Sequence, residues 1–131
     1  MDAQDIVTEL RDLREQVPGV AGTLVAALDG QLVAADLDRG AGPRVDLDSL
    51  AGIAAASLGI AQRVTGLAGQ GTLGQAVTCA SDGQVAVYAV GDAALLAVLG
   101  ATGLDLDELH RKSGPARSRI HALLAGQNAG A

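Results

Sequence analysis

The stretch Gly69-Gln70-Gly71-Thr72-Leu73-Gly74 spells G-x-G-x-x-G, the pattern of a dinucleotide-binding loop. In such a loop a strand runs in and a helix runs out, so that the helix N-terminus faces a pyrophosphate. Other residues with reactive chemistry are few. His110 and His121 stand among Arg111, Lys112, Arg117 and Arg119, a cationic neighbourhood poor in converging metal ligands. That segment reads as a solvated basic face complementing a helix C-terminus. The sharper alternative is an electrostatic contact with an acidic partner or anionic lipid. Cys79, the single cysteine, has no basic neighbour in sequence and reads as a small core residue rather than a reactive thiolate. The pairs Asp46/Asp48 and Asp105/Asp107 are better explained as helix caps and first-turn charges than as general acid and base. No serine sits in a nucleophile elbow, and neither a P-loop lysine pattern nor a zinc spacing occurs. No catalytic, cofactor-binding or metal-ligating residue is assigned.

Composition narrows the classes further. At 131 residues the chain is most simply one domain, long enough to bury about two thirds of its unfolded surface. It has no Phe or Trp, and Tyr88 is its only aromatic residue, so the core must be built from Ala, Val, Leu and Ile. An acidic chain of net charge −6 with almost no aromatics lacks both the phosphate-neutralising and the stacking terms of nucleic-acid binding. One cysteine excludes an intrachain disulfide and fits a reducing cytosol. The first residues are too charged for a signal peptide, and no apolar run is expected to approach the length of a membrane span. A cytoplasmic protein is expected.

The elements come next. Ile6, Leu10, Leu13 and Val17 recur at helical spacing over residues 3 to 17, and Pro18-Gly19 ends that helix. Apolar runs flank Asp29-Gly30 and again Asp82-Gly83, the signature of type I′ hairpin turns, and Gly91-Asp92 suits a type II′ turn. The strands are nearly continuously apolar, which requires both faces of the sheet to be covered. Asp38 to Arg44 reads as an exposed loop, and a long helix follows from about Leu47 to Thr65, capped by Asp46 or Asp48. The last helical segment should kink or break at Gly114-Pro115. The order is αββαβββα: an α+β fold with a five-stranded antiparallel sheet and helices on both faces. In that order Gly69 to Gly74 follows a helix and enters a strand, the reverse of what the fingerprint requires. It is not a nucleotide site.

Within the long helix, Leu47, Leu50, Ala54, Leu58 and Ala61 align at about 100° per residue, with Ile53, Ile60 and Val64 beside them. Gly52, Ala56 and Gly59 line the opposite face and end at Arg63. That row either reflects an Ala/Gly-rich composition or lets a second backbone approach closely. From Val64 to Ser81 there is no charged residue, and an uncharged, proline-free edge strand is an aggregation hazard unless another chain covers it. The second strand is blunted by Asp36, Asp38 and Arg39. A homodimer seam or partner-binding platform is therefore expected at Gly52, Ile53, Ala56, Gly59, Ile60 and Arg63 of the helix, with Leu73, Gln75 and Val77 of the third strand pairing across it.

Three stretches carry a family resemblance: Val17 to Ala35 (VPGVAGTLVAALDGQLVAA), Leu47 to Arg63 (LDSLAGIAAASLGIAQR) and Val87 to Gly103 (VYAVGDAALLAVLGATG). In this order they resemble the roadblock family of dynein-light-chain-type domains, and more narrowly the single-domain roadblock proteins of actinobacterial conservons. The resemblance implies one roadblock, profilin-like domain over residues 1–126, with 127–131 as a frayed tail. It implies a dimer joined through the third strand with the long helices antiparallel. It further implies a non-enzymatic regulator of a small Ras-like GTPase, and a sensor-kinase-like membrane protein as a further partner able to recruit it to the membrane. A passive adaptor between these partners is the alternative, and a small-ligand sensor a third, against which the missing aromatics count. The family keeps its last helix unbroken, from which Gly114-Pro115 departs. Arg39 and Arg44 could serve as an arginine finger, but solubilising loop charge is the simpler role, since the family reshapes GTPase switch regions instead.

Overall fold

The computed structural model describes residues 3–38 and 45–129. Helix α1 (Ala3–Gln16) precedes β1 (Val20–Ala27) and β2 (Leu32–Leu37). Helix α2 (Leu47–Leu67) leads to β3 (Gln75–Ala80), β4 (Gly83–Val90) and β5 (Ala94–Ala101), and α3 (Leu106–Ala129) closes the chain. The five strands form one sheet in the order β2-β1-β5-β4-β3, antiparallel at every pairing. The expected α+β order holds, and it places β2 and β3 at the two edges.

Each face of the sheet has its own core because side chains alternate along a strand. Ile6, Leu10 and Leu13 of α1 and Leu109, Ala116 and Ile120 of α3 pack on Val25, Ala86, Tyr88, Leu96 and Val98. On the other face Ala51, Ala54 and Leu58 of α2 meet Leu24, Ala26, Val87, Leu95 and Ala97. The small residues of α2 let it lie close to the sheet. This two-sided burial is why the central strands are apolar at consecutive positions.

The hairpins depart from the expected turn types. Asp29 does not take positive φ, since among the described residues only glycines do. Leu28, Asp29 and Gly30 instead make a three-residue loop in which Gly30, at φ 93°, supplies the left-handed position and donates to the Ala27 carbonyl at 2.9 Å. That is a type I turn with a glycine bulge. In the β3–β4 hairpin, Ala80 pairs with Gly83, so Ser81 and Asp82 form the turn. Gly83 is needed because a Cβ there would collide with the Gly100 carbonyl. Val90 pairs with Ala94, which makes the last hairpin loop three residues long.

Three further expectations are corrected. Helix α3 runs unbroken through Gly114-Pro115 and on to Ala129. Pro115 faces solvent, and so does Arg111, whose carbonyl loses its helical donor there and is left to water. Buried Leu109 and Ser113 before the proline and Ala116 and Ile120 after it hold both halves to the same surface. Cys79 is exposed, not a core residue. Helix α2 is long and apolar enough, by length and composition, to cross a membrane. It cannot do so in this fold, because the strands on either side of it belong to one sheet.

Candidate interaction surface

Helix α2 is started by its own cap. Asp46 accepts the Ser49 backbone N–H at 3.1 Å and the Ser49 hydroxyl at 2.7 Å, and these bonds hold its carboxyl below the ordinary aspartate range. Ala51, Ala54 and Leu58 turn inward. The outward side then divides into two flanks. Ile53, Ile60, Val64 and Leu67 are 67%, 64%, 60% and 85% exposed, far more than isolated apolar residues of a monomer need be. Ile53 and Ser57 also line a groove of about 200 Å³ with Leu50, Ala54, Thr78, Val85 and Val87, which fixes this flank as the one beside β3 and β4. The other flank carries Gly52, and Gly59 lies exposed beside the crest. Gly52 lies under the β1–β2 turn, where a Cβ on Gly30 would come within 3.0 Å of the Gly52 Cα.

The sequence-assigned residues are spread over the outward side of α2, the core beneath it and β3. Ile53 and Ile60 lie together on the β3 flank and do not help cover the sheet, and Val64 goes with them. Ala56 and Arg63 are exposed at the crest. Gly52 is half-buried against the hairpin, while Gly59 is open, with nothing within 4 Å of the space a Cβ would take. Leu73 tucks into the core under α2. Gln75 and Val77 pair with Tyr88 and Ala86, so their side chains, like that of Cys79, point to the α1/α3 face. Val64, Leu67, Ser57 and Thr78 were missed. The signal for the first three was present as alternating steps of three and four residues along α2.

Strand β3 is exposed at every residue but Ala76, and among the described residues one of its edges has no strand neighbour. The opposite edge is guarded. Arg14 of α1 reaches Asp36 of β2 at 2.5 Å, with Arg11 at 3.8 Å, which places paired charge along β2.

The basic segment is not a free solvated face. The Tyr88 hydroxyl shares a 2.5 Å hydrogen bond with His110 Nδ1. The Arg117 guanidinium stands 5.1 Å from the Tyr88 ring centre and donates to the Ala89 carbonyl at 3.3 Å. Arg119 is paired with Glu9 of α1 at 2.7 Å and Arg111 with Glu108. Tyr88–His110 and Arg117 fasten α3 to the sheet and Arg119–Glu9 fastens it to α1, while the Arg111–Glu108 pair lies within α3 on its exposed side. Among the described residues no three His, Cys, Asp or Glu side chains converge on a metal position. A larger depression of about 390 Å³ is lined by Ala21, Leu37, Val45, Leu99, Gly100 and Ala101, with Asp82 the one ionisable side chain among the described residues that line it. Arg39 and Arg44 lie outside the described residues.

The model of the Roadblock/LC7 domain matches residues 6–100, and the chain belongs to that family. No curated protein matches it in sequence. Among solved structures it resembles the gliding protein MglB from Thermus thermophilus, at 19% identity and TM-score 0.82, over 92% of this chain and 88% of that one. A structure described as MglB with tetrameric arrangement matches over the same shares at 19% identity and TM-score 0.84. The Roadblock/LC7 domain from Streptomyces avermitilis matches at 18% and 0.80, over 91% and 97%. These identities establish a common fold.

Proposed function

We propose that this protein is a non-enzymatic, homodimeric platform that binds a small Ras-like GTPase and regulates its nucleotide cycle in the cytoplasm of a bacterial signalling system. The observation that carries the proposal is the uncharged surface formed by the outward flank of α2 and the free edge of β3. Ile53, Ile60, Val64 and Leu67 stand exposed beside a strand that has hydrogen-bonding groups but no neighbour. A second copy would cover the strand edge and bring two α2 helices side by side. Their crests, with Ala56, Gly59 and Arg63, would then form one surface for the GTPase. Binding there shifts the switch loops by no more than the difference in affinity for their two arrangements. A sensor-kinase-like membrane protein would be the upstream partner that brings the dimer to the membrane.

Two substitutions test this assignment. Ile60→Asp should leave the melting temperature of the fold close to that of the parent and abolish the dimer in sedimentation equilibrium. Gly59→Arg should weaken GTPase binding in co-elution, since the added side chain enters open space on the crest. If both variants retain the dimer and the GTPase, the surface is misassigned.

A further inference from the structure

Arg63 stands on α2 as a charge without a counter-charge. From Ser49 to Ser81 it is the only charged residue of the chain. The positions that an ion pair within the helix would use, three and four residues away, hold Gly59, Ile60, Gly66 and Leu67. Arg63 is exposed, and among the described residues it has no hydrogen-bond or ion-pair partner. Every other described arginine holds a carboxylate or a carbonyl: Arg11 and Arg14 meet Asp36, Arg111 meets Glu108, Arg119 meets Glu9, and Arg117 donates to Ala89. In a chain with 15 acidic and 9 basic residues, an arginine left unpaired is the exception. Nor does it complement the C-terminal end of the helix, because the last turn of α2 has no basic residue and the dipole effect falls off within that turn. Ala56, Gly59 and Gly66 lie beside it, all exposed, and a Cβ on either glycine would touch nothing. The guanidinium is therefore open to approach along the crest.

We infer that Arg63 is the residue by which the crest of α2 recognises the GTPase, and that it meets a carboxylate there. The inference rests on the platform reading above and adds the chemistry of the contact. Guanidinium presents a planar fork of N–H donors that fits a carboxylate with two parallel bonds. Its small and apolar neighbours exclude water once a partner docks, so the pair is stronger than one left in solvent. A basic partner surface is rejected at the same position, because its charge would be brought against an uncompensated cation. Arg63 contributes recognition in this scheme and takes no part at the nucleotide.

Titration of the chain with the Ras-like GTPase encoded nearest its gene tests this, with that GTPase loaded with GDP or with a non-hydrolysable GTP analogue. In the state that binds the parent more tightly, Arg63→Gln should raise the Kd at least about tenfold. Arg63→Lys keeps the charge but loses the fork and should fall between the two. Arg63→Glu should bind most weakly. The advantage of the parent over Arg63→Gln should shrink as salt is raised. The melting temperature and the sedimentation of all three variants should match the parent, and GTP turnover at saturating Arg63→Gln should equal that at saturating parent. Affinity like the parent's in Arg63→Gln would overturn the inference and leave the platform standing. Loss of the dimer in that variant would overturn it too, by placing Arg63 in the seam. So would a loss of turnover at saturation, which would place Arg63 at the nucleotide. A parent that binds the GTPase in neither state would overturn the platform reading itself, and this inference with it.

Discussion

At the scale of single residues, Tyr88 shows how the lone aromatic is used. Its side chain is 1% exposed, held at the hydroxyl by His110 and covered on the ring by Arg117. Burial pushes its pKa up, against the opposing pull of the Ser113 hydrogen bond and the Arg117 charge. A phenol with a raised pKa keeps its proton longer when folded than when unfolded. The stability it contributes is thus complete below the unfolded tyrosine value and is lost as pH rises through the folded one. With no Trp in the chain, absorbance near 295 nm follows this group alone. Its midpoint should lie above that of free tyrosine, and Tyr88→Phe should cost about 1 kcal/mol at neutral pH. Asp46 works in the opposite direction. Ser49 lowers its pKa, so the capping contribution is present above the unfolded carboxyl value and is lost as pH falls through the folded one. Asp46→Asn keeps an acceptor for the helix, and the melting temperature of that variant should vary less with pH in the acid range.

At the scale of elements, what periodicity encodes was readable and what tertiary contact decides was not. The αββαβββα order followed from Ile6/Leu10/Leu13 at helical spacing and from glycine-marked turns between apolar runs. The turn types did not follow, because the bulge at Gly30 and the Ala80–Gly83 pairing each shift the turn by one residue from where an Asp-Gly pair at its centre would put it. Helix α2 shows the same division. Its apolar content was plain, but a helix that is apolar nearly all round does not mark which arc faces inward, so spacing alone does not separate Ile53, Ile60 and Val64 from Ala54 and Leu58. Only the packing of Ala51, Ala54 and Leu58 against the strands decides that. His110 and Arg117 were read as solvated since nothing in their spacing reveals that one tyrosine lies beneath them. Pro115 is the converse case, a helix breaker overruled by packing on both sides. Removing the proline from this helix interior should therefore stabilise the fold. Pro115→Ala is expected to raise stability by an amount up to about 3 kcal/mol, measured by urea unfolding. A loss of stability would mean that the proline ring makes a contact the helix depends on.

At the scale of the whole molecule, charge and polarity are divided between the edges and faces of the sheet. The β2 edge is shielded by Arg11, Arg14 and Asp36. The face under α1 and α3 is closed and tied down by ion pairs. The flank of α2 beside β3, and β3 itself, are uncharged and exposed. A Roadblock/LC7 domain built this way has one side finished and one side left for association. The proposed dimer closes the strand edge and leaves the crest of the α2 pair for a GTPase. The most direct test is to measure the affinity of the dimer for the Ras-like GTPase encoded nearest its gene, loaded with GDP or with a non-hydrolysable GTP analogue, alongside GTP turnover. The account predicts that one nucleotide state binds more tightly and that turnover changes, with both effects lost in Ile60→Asp. Equal binding of the two states with unchanged turnover, or no binding by a protein shown to be dimeric, would contradict it.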